Sequence, residues 1–283
     1  MPDRHYDEDN ARAYWAQQMD NAYEFMMRAA DYPVRECGEP LLSLRTAAAD
    51  ASVEVEFAQT KVVDDFDRLF YLRRGLIDDF VDIAGQMNRR GWILKVEDAY
   101  RTPLIQKKLG CKSNVFDVIL SVVMWETGDK TPDLDLMIRR QASLTASSAK
   151  VGTHISATAM DISVLDRDTG EELDRGGPYI EISELTPMAS PFVSDRARLN
   201  RDGITEVMNS RGFLAYPYEF WHYSKGDAYC EMLNQTGKPA RYGPINYDVK
   251  TDTITSIEDP TRCLNSPAEL EQELARALKR LGH

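Results

Sequence analysis

The chain of 283 residues is 43% hydrophobic and 9% aromatic, a composition typical of a globular protein that buries a sizeable core. Its 46 acidic residues outnumber its 34 basic ones, and the formal net charge of −12 disfavours nucleic acid as a partner, because an acidic surface repels phosphate backbones. No apolar run is long enough to span a bilayer and no signal-peptide type of stretch follows Met1, so we expect no membrane partner and a cytoplasmic location.

In the first half of the chain, the spacing of apolar residues predicts mainly helices, with two strands between them. Aromatic and methionine side chains recur at helical spacing over residues 7–33, whereas residues 52–59 (SVEVEFAQ) alternate like a strand. An amphipathic helix is predicted over residues 74–91, and a strand (WILKVEDAY) over residues 92–100. Pro103 suits the first turn of a further helix, because a missing N–H needs no partner there. Two more helices are predicted over residues 114–128 and 132–144.

The second half of the chain mixes strands, a long loop and helices. In chain order, the patterns predict a strand at 159–166 (AMDISVLD), a turn at 167–170, a Gly-, Pro- and Ser-rich loop at 174–192, a helix at 199–213, a strand at 217–224 (PYEFWHYS) and a helix at 266–282. Ser266 and Glu269 have the spacing of a capping box at the start of the last helix. Because strands and helices do not alternate regularly, we expect an α+β fold.

The cysteines indicate neither a metal site nor a disulfide framework. They are widely scattered, with no close pair: Cys37, Cys111, Cys230 and Cys263. We therefore expect free thiols, which fits a reducing compartment.

Two interior histidines lie close in sequence to carboxylates. His154 precedes Asp161 by seven residues, and His222 follows Glu219 by three. Two imidazoles and a carboxylate form a three-ligand set of the catalytic zinc type, which would leave Glu219 free to act as a base. The alternative is a group of core residues with paired polar tips, and spacing alone leaves both interpretations open.

Strand geometry limits how these residues can converge. In a regular strand, residues an odd number apart point to opposite faces of the sheet. His154 must therefore lie on the small-residue loop before the strand that carries Asp161. Glu219 and His222 likewise need a strand end or a bulge to meet.

Three short motifs resemble the zinc D-alanyl-D-alanine dipeptidase and carboxypeptidase family, which includes the vancomycin-resistance type of dipeptidase. THISATAMDIS resembles the family's S-x-H-x-x-G-x-A-x-D, GFLAYPYEFWHYSKGD resembles its G-F…E-W-W-H-Y segment, and VEDAYRTP resembles its D-x-Y-R-P strand end. The motifs occur in the family's order, and the resemblance covers roughly residues 66–246.

The resemblance implies a fold and a set of functional residues. The fold would be α+β, with a small antiparallel sheet that carries a zinc site and is surrounded by helices. One zinc ion per chain would be held by His154, Asp161 and His222. Glu219 would be the catalytic base and Arg101 would stabilise the oxyanion, although a surface ion pair is the alternative for Arg101. The implied substrate-binding residues are Thr153, Trp221 and Asp195, with a plain core role as the alternative for Trp221.

The resemblance also suggests how the chain is divided. We expect a catalytic zinc peptidase domain at residues 66–250, preceded by an N-terminal helical extension at 1–65 that packs on it and followed by a C-terminal helical extension at 251–283.

Several positions depart from the family pattern without removing a ligand. Gly152 stands where the S-x-H-x-x-G-x-A-x-D motif has Ser, Ala157 where it has Gly, and Phe220 where the G-F…E-W-W-H-Y segment has its first Trp. Val193 occupies the place of the family's aspartate that binds the substrate's free amino group, and Asp195, two residues on, is the candidate to replace it.

The expected function is zinc-dependent hydrolysis of a small peptide that contains D-amino acids, with D-alanyl-D-alanine as the first candidate. Because of Val193, a related zinc amidohydrolase is the alternative, either a muropeptide carboxypeptidase or a hydrolase of secondary metabolism. A third alternative is a binding relative that has kept the fold but lost the chemistry. Nothing in the sequence indicates an oligomeric state.

Overall fold

Helices and strands follow one another irregularly along the chain. The computed structural model describes residues 7–64 and 66–283. The α-helices are α1 (Glu8–Asp31), α2 (Leu44–Asp50), α3 (Ile77–Arg89), α4 (Pro103–Gly110), α5 (Ser113–Glu126), α6 (Leu134–Leu144), α7 (Asp195–Asn209), α8 (Ala228–Leu233) and α9 (Pro267–Leu281). The strands are β1 (Leu41–Ser43), β2 (Val55–Phe57), β3 (Tyr71–Arg73), β4 (Trp92–Asp98), β5 (Ala159–Asp166), β6 (Leu214–Ala215), β7 (His222–Ser224), β8 (Ile245–Asp248) and β9 (Thr253–Ser256). Two short 3₁₀ helices lie at Arg74–Leu76 and Ala149–Val151.

The central sheet has five strands in the order β2-β4-β5-β7-β6. Its pairs are antiparallel except at one edge, where β2 runs parallel to β4. The expected α+β class is confirmed, and the expected small antiparallel sheet has one parallel pair at this edge. The reason is that the chain returns from β2 to β4 through α3, and a helical crossover brings the next strand back in the same direction. Two separate antiparallel pairs, β1-β3 and β8-β9, lie outside this sheet.

The two faces of the sheet differ in chemistry because side chains alternate along β5. Met160, Ile162 and Val164 point into the main hydrophobic core, where α3 and α7 pack against the sheet. Asp161 and Ser163 lie on the opposite face. One face of the sheet therefore packs into the hydrophobic core, and the other face is polar and can carry a functional site.

A helical layer made by α5, α6 and α9 forms a second core. Phe116, Ile119, Leu120 and Val123 of α5 pack with Leu270 and Leu274 of α9. The N-terminal helix joins this layer through a partly buried ion network, in which Arg140 of α6 contacts Glu126 of α5 and Asp20 of α1. Among the described residues, no helix combines the length and apolar content needed to cross a bilayer.

The expected division into segments 1–65, 66–250 and 251–283 stays a prediction, and residues 1–6 and 65 lie outside the described part of the chain. Two contacts cross its boundaries. The strand β2 joins the central sheet through β4, and the β8-β9 pair includes residues on both sides of residue 250.

Most predicted elements are confirmed near their expected bounds, with one clear exception. The stretch 217–224 is a strand only from His222 to Ser224, whereas residues 217–221 form turns. The backbone N–H of Tyr216 donates to the carbonyl of His222 across this turn, which folds the aromatic run back on itself. The helix predicted at 199–213 begins earlier, because Ser194 caps α7 by accepting from Ala197 N. The patterns did not predict α2, α8, the β1-β3 pair or the β8-β9 pair.

Candidate metal centre and active site

A row of three polar residues crosses the polar face of the sheet. Asp161 of β5 lies opposite Asp98 of β4 on one side and opposite His222 of β7 on the other. A register shift between Val96 and Asp98 indicates a β-bulge, which brings Asp98 into the row. Residues directly opposite on neighbouring strands present their side chains to the same face.

Two imidazoles converge on one oxygen of Asp161. His154 Nε2 lies 3.2 Å and His222 Nδ1 lies 3.0 Å from Asp161 Oδ1. All three side chains are buried, and their candidate ligand atoms lie within 4.8 Å of one another. His154 comes from the loop before β5, as strand geometry required, since β5 begins only at Ala159.

The outer nitrogen of each imidazole also has a partner. His154 Nδ1 lies 2.5 Å from the carbonyl oxygen of Ala99, and a carbonyl oxygen only accepts, so Nδ1 carries a proton and Nε2 is the nitrogen that faces Asp161. His222 Nε2 lies 2.9 Å from Thr153 Oγ1. When Nε2 donates to that hydroxyl, Nδ1 faces Asp161 unprotonated. Such outer hydrogen bonds orient histidine ligands in metal sites.

The ionisation of the cluster fits a divalent metal ion. Burial alone would raise the pKa of Asp161, but His154, His222 and Arg101 hold that pKa well below its usual range, so the carboxylate is charged. Burial lowers the pKa of His222 despite the opposing effect of Asp161, so this imidazole is neutral at neutral pH. Metal binding requires a charged carboxylate and neutral imidazoles, and two nitrogens with one oxygen form a donor set suited to zinc.

Arg101 lies beside the cluster and is held by two carboxylates. Its Nε donates to Asp98 Oδ2 at 2.7 Å, and its Nη2 donates to Asp161 Oδ2 at 2.8 Å. Burial would lower the pKa of Arg101, but Asp98 and Asp161 raise it, so the guanidinium stays charged. Arg68 approaches the same carboxyl oxygen of Asp98 at 3.3 Å. The guanidinium of Arg101 is therefore fixed within the pocket rather than paired at the surface.

Glu219 lies on the turn that enters β7 and lines the same pocket as the cluster. Its side chain is only 8% exposed, and among the described residues none donates a hydrogen bond to its carboxyl group. Burial, followed by the charge of Asp161, raises the pKa of Glu219 well above its usual range, while Arg101 opposes the shift. A carboxyl group with a raised pKa holds a proton more readily than an ordinary carboxyl group, which suits a role in proton transfer.

The long loop at 174–192 contributes a residue that the sequence did not point to. The hydroxyl of Tyr179 donates to Asp161 Oδ2 at 3.1 Å, and its ring meets Trp221 edge to face at 5.9 Å between centroids. Both rings line the pocket, so Trp221 is a pocket wall as well as a buried residue. Only the Gly-Gly-Pro turn just before Tyr179 marks this position, and such a turn does not say where the next side chain points.

Two predicted or discussed positions lie away from the pocket. Asp195 is exposed in the first turn of α7, next to the capping Ser194, and it is not among the pocket-lining residues. Val193 is buried with its side chain against Gly176. The structure thus does not bring Asp195 to the site, because the capped start of α7 directs it into solvent at the positive end of the helix dipole.

The structure shows the surroundings of the three positions that depart from the motifs. A Cβ atom at Gly152 would lie 2.8 Å from Ile155 Cδ1, so a serine there would displace Ile155. Ala157 has a φ of 55°, a left-handed conformation that costs a non-glycine residue about 1–2 kcal/mol. The ring of Phe220 lies between the guanidinium groups of Arg175 and Arg201, at 4.9 and 4.4 Å from its centroid.

Comparison with known proteins gives a match to one protein-family model and similarity to three named dipeptidases. Residues 120–238 match the protein-family model described as D-ala-D-ala dipeptidase, a range that includes the His154, Asp161, Glu219 and His222 positions but not Arg101. A D-alanyl-D-alanine dipeptidase from a Synechocystis strain is 27% identical over 216 residues, which cover 69% of this chain and 85% of that protein. D-alanyl-D-alanine dipeptidases of Enterococcus faecium and Enterococcus faecalis are 31% and 27% identical over 75 residues, which cover 26% of this chain and 37% of each relative.

Proposed function

We propose that the chain, which resembles the D-alanyl-D-alanine dipeptidase family of peptidases, hydrolyses a peptide bond in a small peptide that contains D-amino acids, with one zinc ion as its cofactor. D-Alanyl-D-alanine is the first candidate substrate, because the relatives are named for it.

One observation carries this proposal: the cluster of His154, Asp161 and His222 shares a buried pocket with Glu219 and Arg101. Two imidazoles and a carboxylate would hold the ion and leave a coordination position open. Bound there, zinc would act as a Lewis acid toward the scissile carbonyl group and the attacking water.

Glu219 is the proposed general base and acid. Its carboxylate would take the proton of the attacking water and then deliver it to the nitrogen of the departing amine. The burial that raises the pKa of Glu219 makes its carboxylate a stronger proton acceptor toward the attacking water. The absence of a donor to its carboxyl group among the described residues leaves it available to water.

Arg101 is the proposed electrostatic partner of the oxyanion. Its Nη1 lies 3.3 Å from Gln106 Oε1, and its other two nitrogens are held by Asp98 and Asp161. This fixed, charged guanidinium retains N–H groups that can face the carbonyl oxygen as negative charge develops on it.

The first test separates metal binding from turnover. Glu219→Gln removes the carboxylate at nearly constant volume, so we expect the zinc content to stay near one equivalent and the hydrolysis of D-alanyl-D-alanine to fall by about 100-fold or more. His222→Ala removes a ligand, and both zinc content and turnover should be lost. Elemental analysis and release of D-alanine are the two measurements. Full activity in either variant would refute the mechanism, and a wild-type protein that retains no zinc after reconstitution would favour a non-catalytic binding relative.

A second candidate is an amidohydrolase whose substrate has no free amino group. Val193 favours it, because this buried valine stands where the resemblance expects an amine-binding aspartate and Asp195 lies away from the pocket. Hydrolysis of D-alanyl-D-alanine compared with its N-acetyl derivative distinguishes the two candidates.

A further inference from the structure

Among the described residues, the charges of the pocket leave no dedicated partner for a substrate ammonium group. The described part of the lining contains three carboxylates, Asp98, Asp161 and Glu219. Asp98 is held by Arg68 and Arg101, and the oxygens of Asp161 are held by the imidazoles, Arg101 and Tyr179. Glu219 alone has no hydrogen-bond donor among the described residues, and the proposed reaction needs it as a base.

The remaining cation of the lining makes an ammonium group still less favourable. Lys112 Nζ donates to the carbonyl of Val62 at 2.9 Å, and no described carboxylate lies within ion-pair distance of it. Lys112 itself would repel a second cation.

The pocket also has an aliphatic wall that the proposed chemistry does not use. The wall consists of Leu109, Val115, Ile119, Leu144, Ile180 and Ile182. Val115, Ile119, Leu144 and Ile182 belong to the core of the helical layer, so the wall is the pocket-facing side of that core. Val115, Leu144 and Ile182 are only partly buried, and Ile180 is 48% exposed, so apolar surface remains open to a ligand. A D-alanyl-D-alanine molecule has only methyl side chains with which to cover it.

We propose that the preferred substrates are amides whose amino end is blocked by a bulky apolar acyl group, and that the aliphatic wall binds this group. The inference rests on the proposed function, because it names which amides are hydrolysed. In the reaction the amide C–N bond breaks, the water oxygen bonds to the carbonyl carbon, and the water protons leave on the freed amine and the medium. The products are an N-acyl amino acid and a free amino acid.

A chain-length series tests the proposal. Zinc-loaded protein is given D-alanyl-D-alanine and its N-acetyl, N-butanoyl, N-hexanoyl and N-octanoyl derivatives, and kcat/KM is measured for each. Each buried methylene should improve binding about fourfold, so burial of about three of them should favour N-octanoyl over N-acetyl by about 50-fold. Calorimetric binding of N-octanoyl-D-alanine and N-acetyl-D-alanine gives the same comparison without turnover.

Two valines on one helix provide the variant and its control. Val115→Thr puts a hydroxyl group into the aliphatic wall at constant shape and should reduce the N-octanoyl advantage by about tenfold, as expected for a polar group left without a partner. Val118→Thr makes the same change at a residue of α5 that is 45% exposed and does not line the pocket. It should leave the N-octanoyl advantage unchanged.

The outcomes distinguish this inference from the proposed function. Equal kcat/KM values across the series, or a preference for the free dipeptide, would overturn the inference while hydrolysis itself stood. An N-octanoyl advantage that survives Val115→Thr would also overturn it. Binding that tightens with chain length while every compound stays intact would support the apolar wall and refute the proposed hydrolysis.

Discussion

Thr153 contacts the nitrogen of His222 that points away from Asp161 and thus takes part in orienting a candidate metal ligand. The sequence suggested a substrate-binding role for Thr153, and the 2.9 Å contact with His222 adds a second possible role that can be measured separately. The first would change KM and the second would change metal affinity.

We expect Thr153→Val to weaken zinc binding by about 10- to 100-fold, the usual range for loss of a hydrogen bond behind a histidine ligand. Competition with a chromophoric chelator measures the zinc dissociation constant directly. Thr153→Ser keeps the hydroxyl group and should retain most of the affinity. If Thr153→Val bound zinc as tightly as the wild type but had a raised KM, the substrate-binding role would be the correct one.

For single residues, the sequence indicates the candidate metal ligands and the candidate base better than it indicates the groups that hydrogen-bond to them. His154, Asp161, Glu219 and His222 stand out because they lie in short motifs of recognisable spacing. Ala99 contributes a backbone carbonyl, which has no sequence signature. The contact between Asp98 and Arg101 could have been predicted, because an acidic residue three positions before an arginine in the same motif is well placed to form an ion pair with it.

Among the elements, α9 has the most explicit sequence signal, and its start is electrostatically defined. Ser266 N donates to Glu269 Oε2 at 2.7 Å, while Glu269 N donates to Ser266 Oγ at 3.2 Å, so the predicted capping box is confirmed. These backbone and side-chain contacts with Ser266, together with Lys107, lower the pKa of Glu269 to about 2.

This shift predicts how the stabilisation by Glu269 depends on pH. Since the pKa is about 2 in the folded protein and about 4.3 in the unfolded chain, the folded state binds fewer protons between these values. The stabilisation is therefore complete above about pH 4.3 and declines as the pH falls toward 2. We expect Glu269→Gln to lower Tm relative to the wild type at pH 7, and the difference to shrink below about pH 4.

Thermal unfolding followed by circular dichroism between pH 7 and pH 3 measures this difference. Glu271→Gln removes the same charge at an exposed position of α9 and controls for the overall change in net charge. A difference for Glu269→Gln that stayed constant down to pH 3 would contradict the assignment.

The sequence predicts long periodic elements better than short ones. The helix α1 and the strand β5 have the expected positions, because each repeats one pattern over its whole length. The strand predicted at 217–224 is too long, because its first residues form a turn although aromatic residues favour strands; here tertiary contacts outweigh that preference. The β8-β9 pair was missed, although INYD and TITS alternate around a short turn at residues 249–252.

On the scale of the whole molecule, the proposed zinc ligands connect segments that are distant in sequence. His154 lies on a loop, Asp161 on the central strand β5 and His222 on β7, next to the edge strand β6. A ligand that binds only the folded state stabilises it by mass action, by about 2.7 kcal/mol at a hundredfold excess over its Kd.

We therefore expect zinc at such an excess to raise Tm by about 5 °C or more over the chelator-treated protein. Differential scanning calorimetry of the two forms measures this shift. Glu219→Gln should show the same shift as the wild type, whereas His222→Ala should show almost none. A wild-type Tm that does not respond to zinc would argue against a site built from these three residues.

The row of Asp98, Asp161 and His222 would link binding of the proposed metal ion to correct strand pairing in the sheet. If β7 slipped by one residue along β5, His222 would turn to the opposite face and the cluster would not form. Chains with mispaired strands would then bind no ion. They would be less protected against heat and proteases, and they would be inactive. Correct strand pairing would thus be required both for stabilisation by the ion and for the start of hydrolysis.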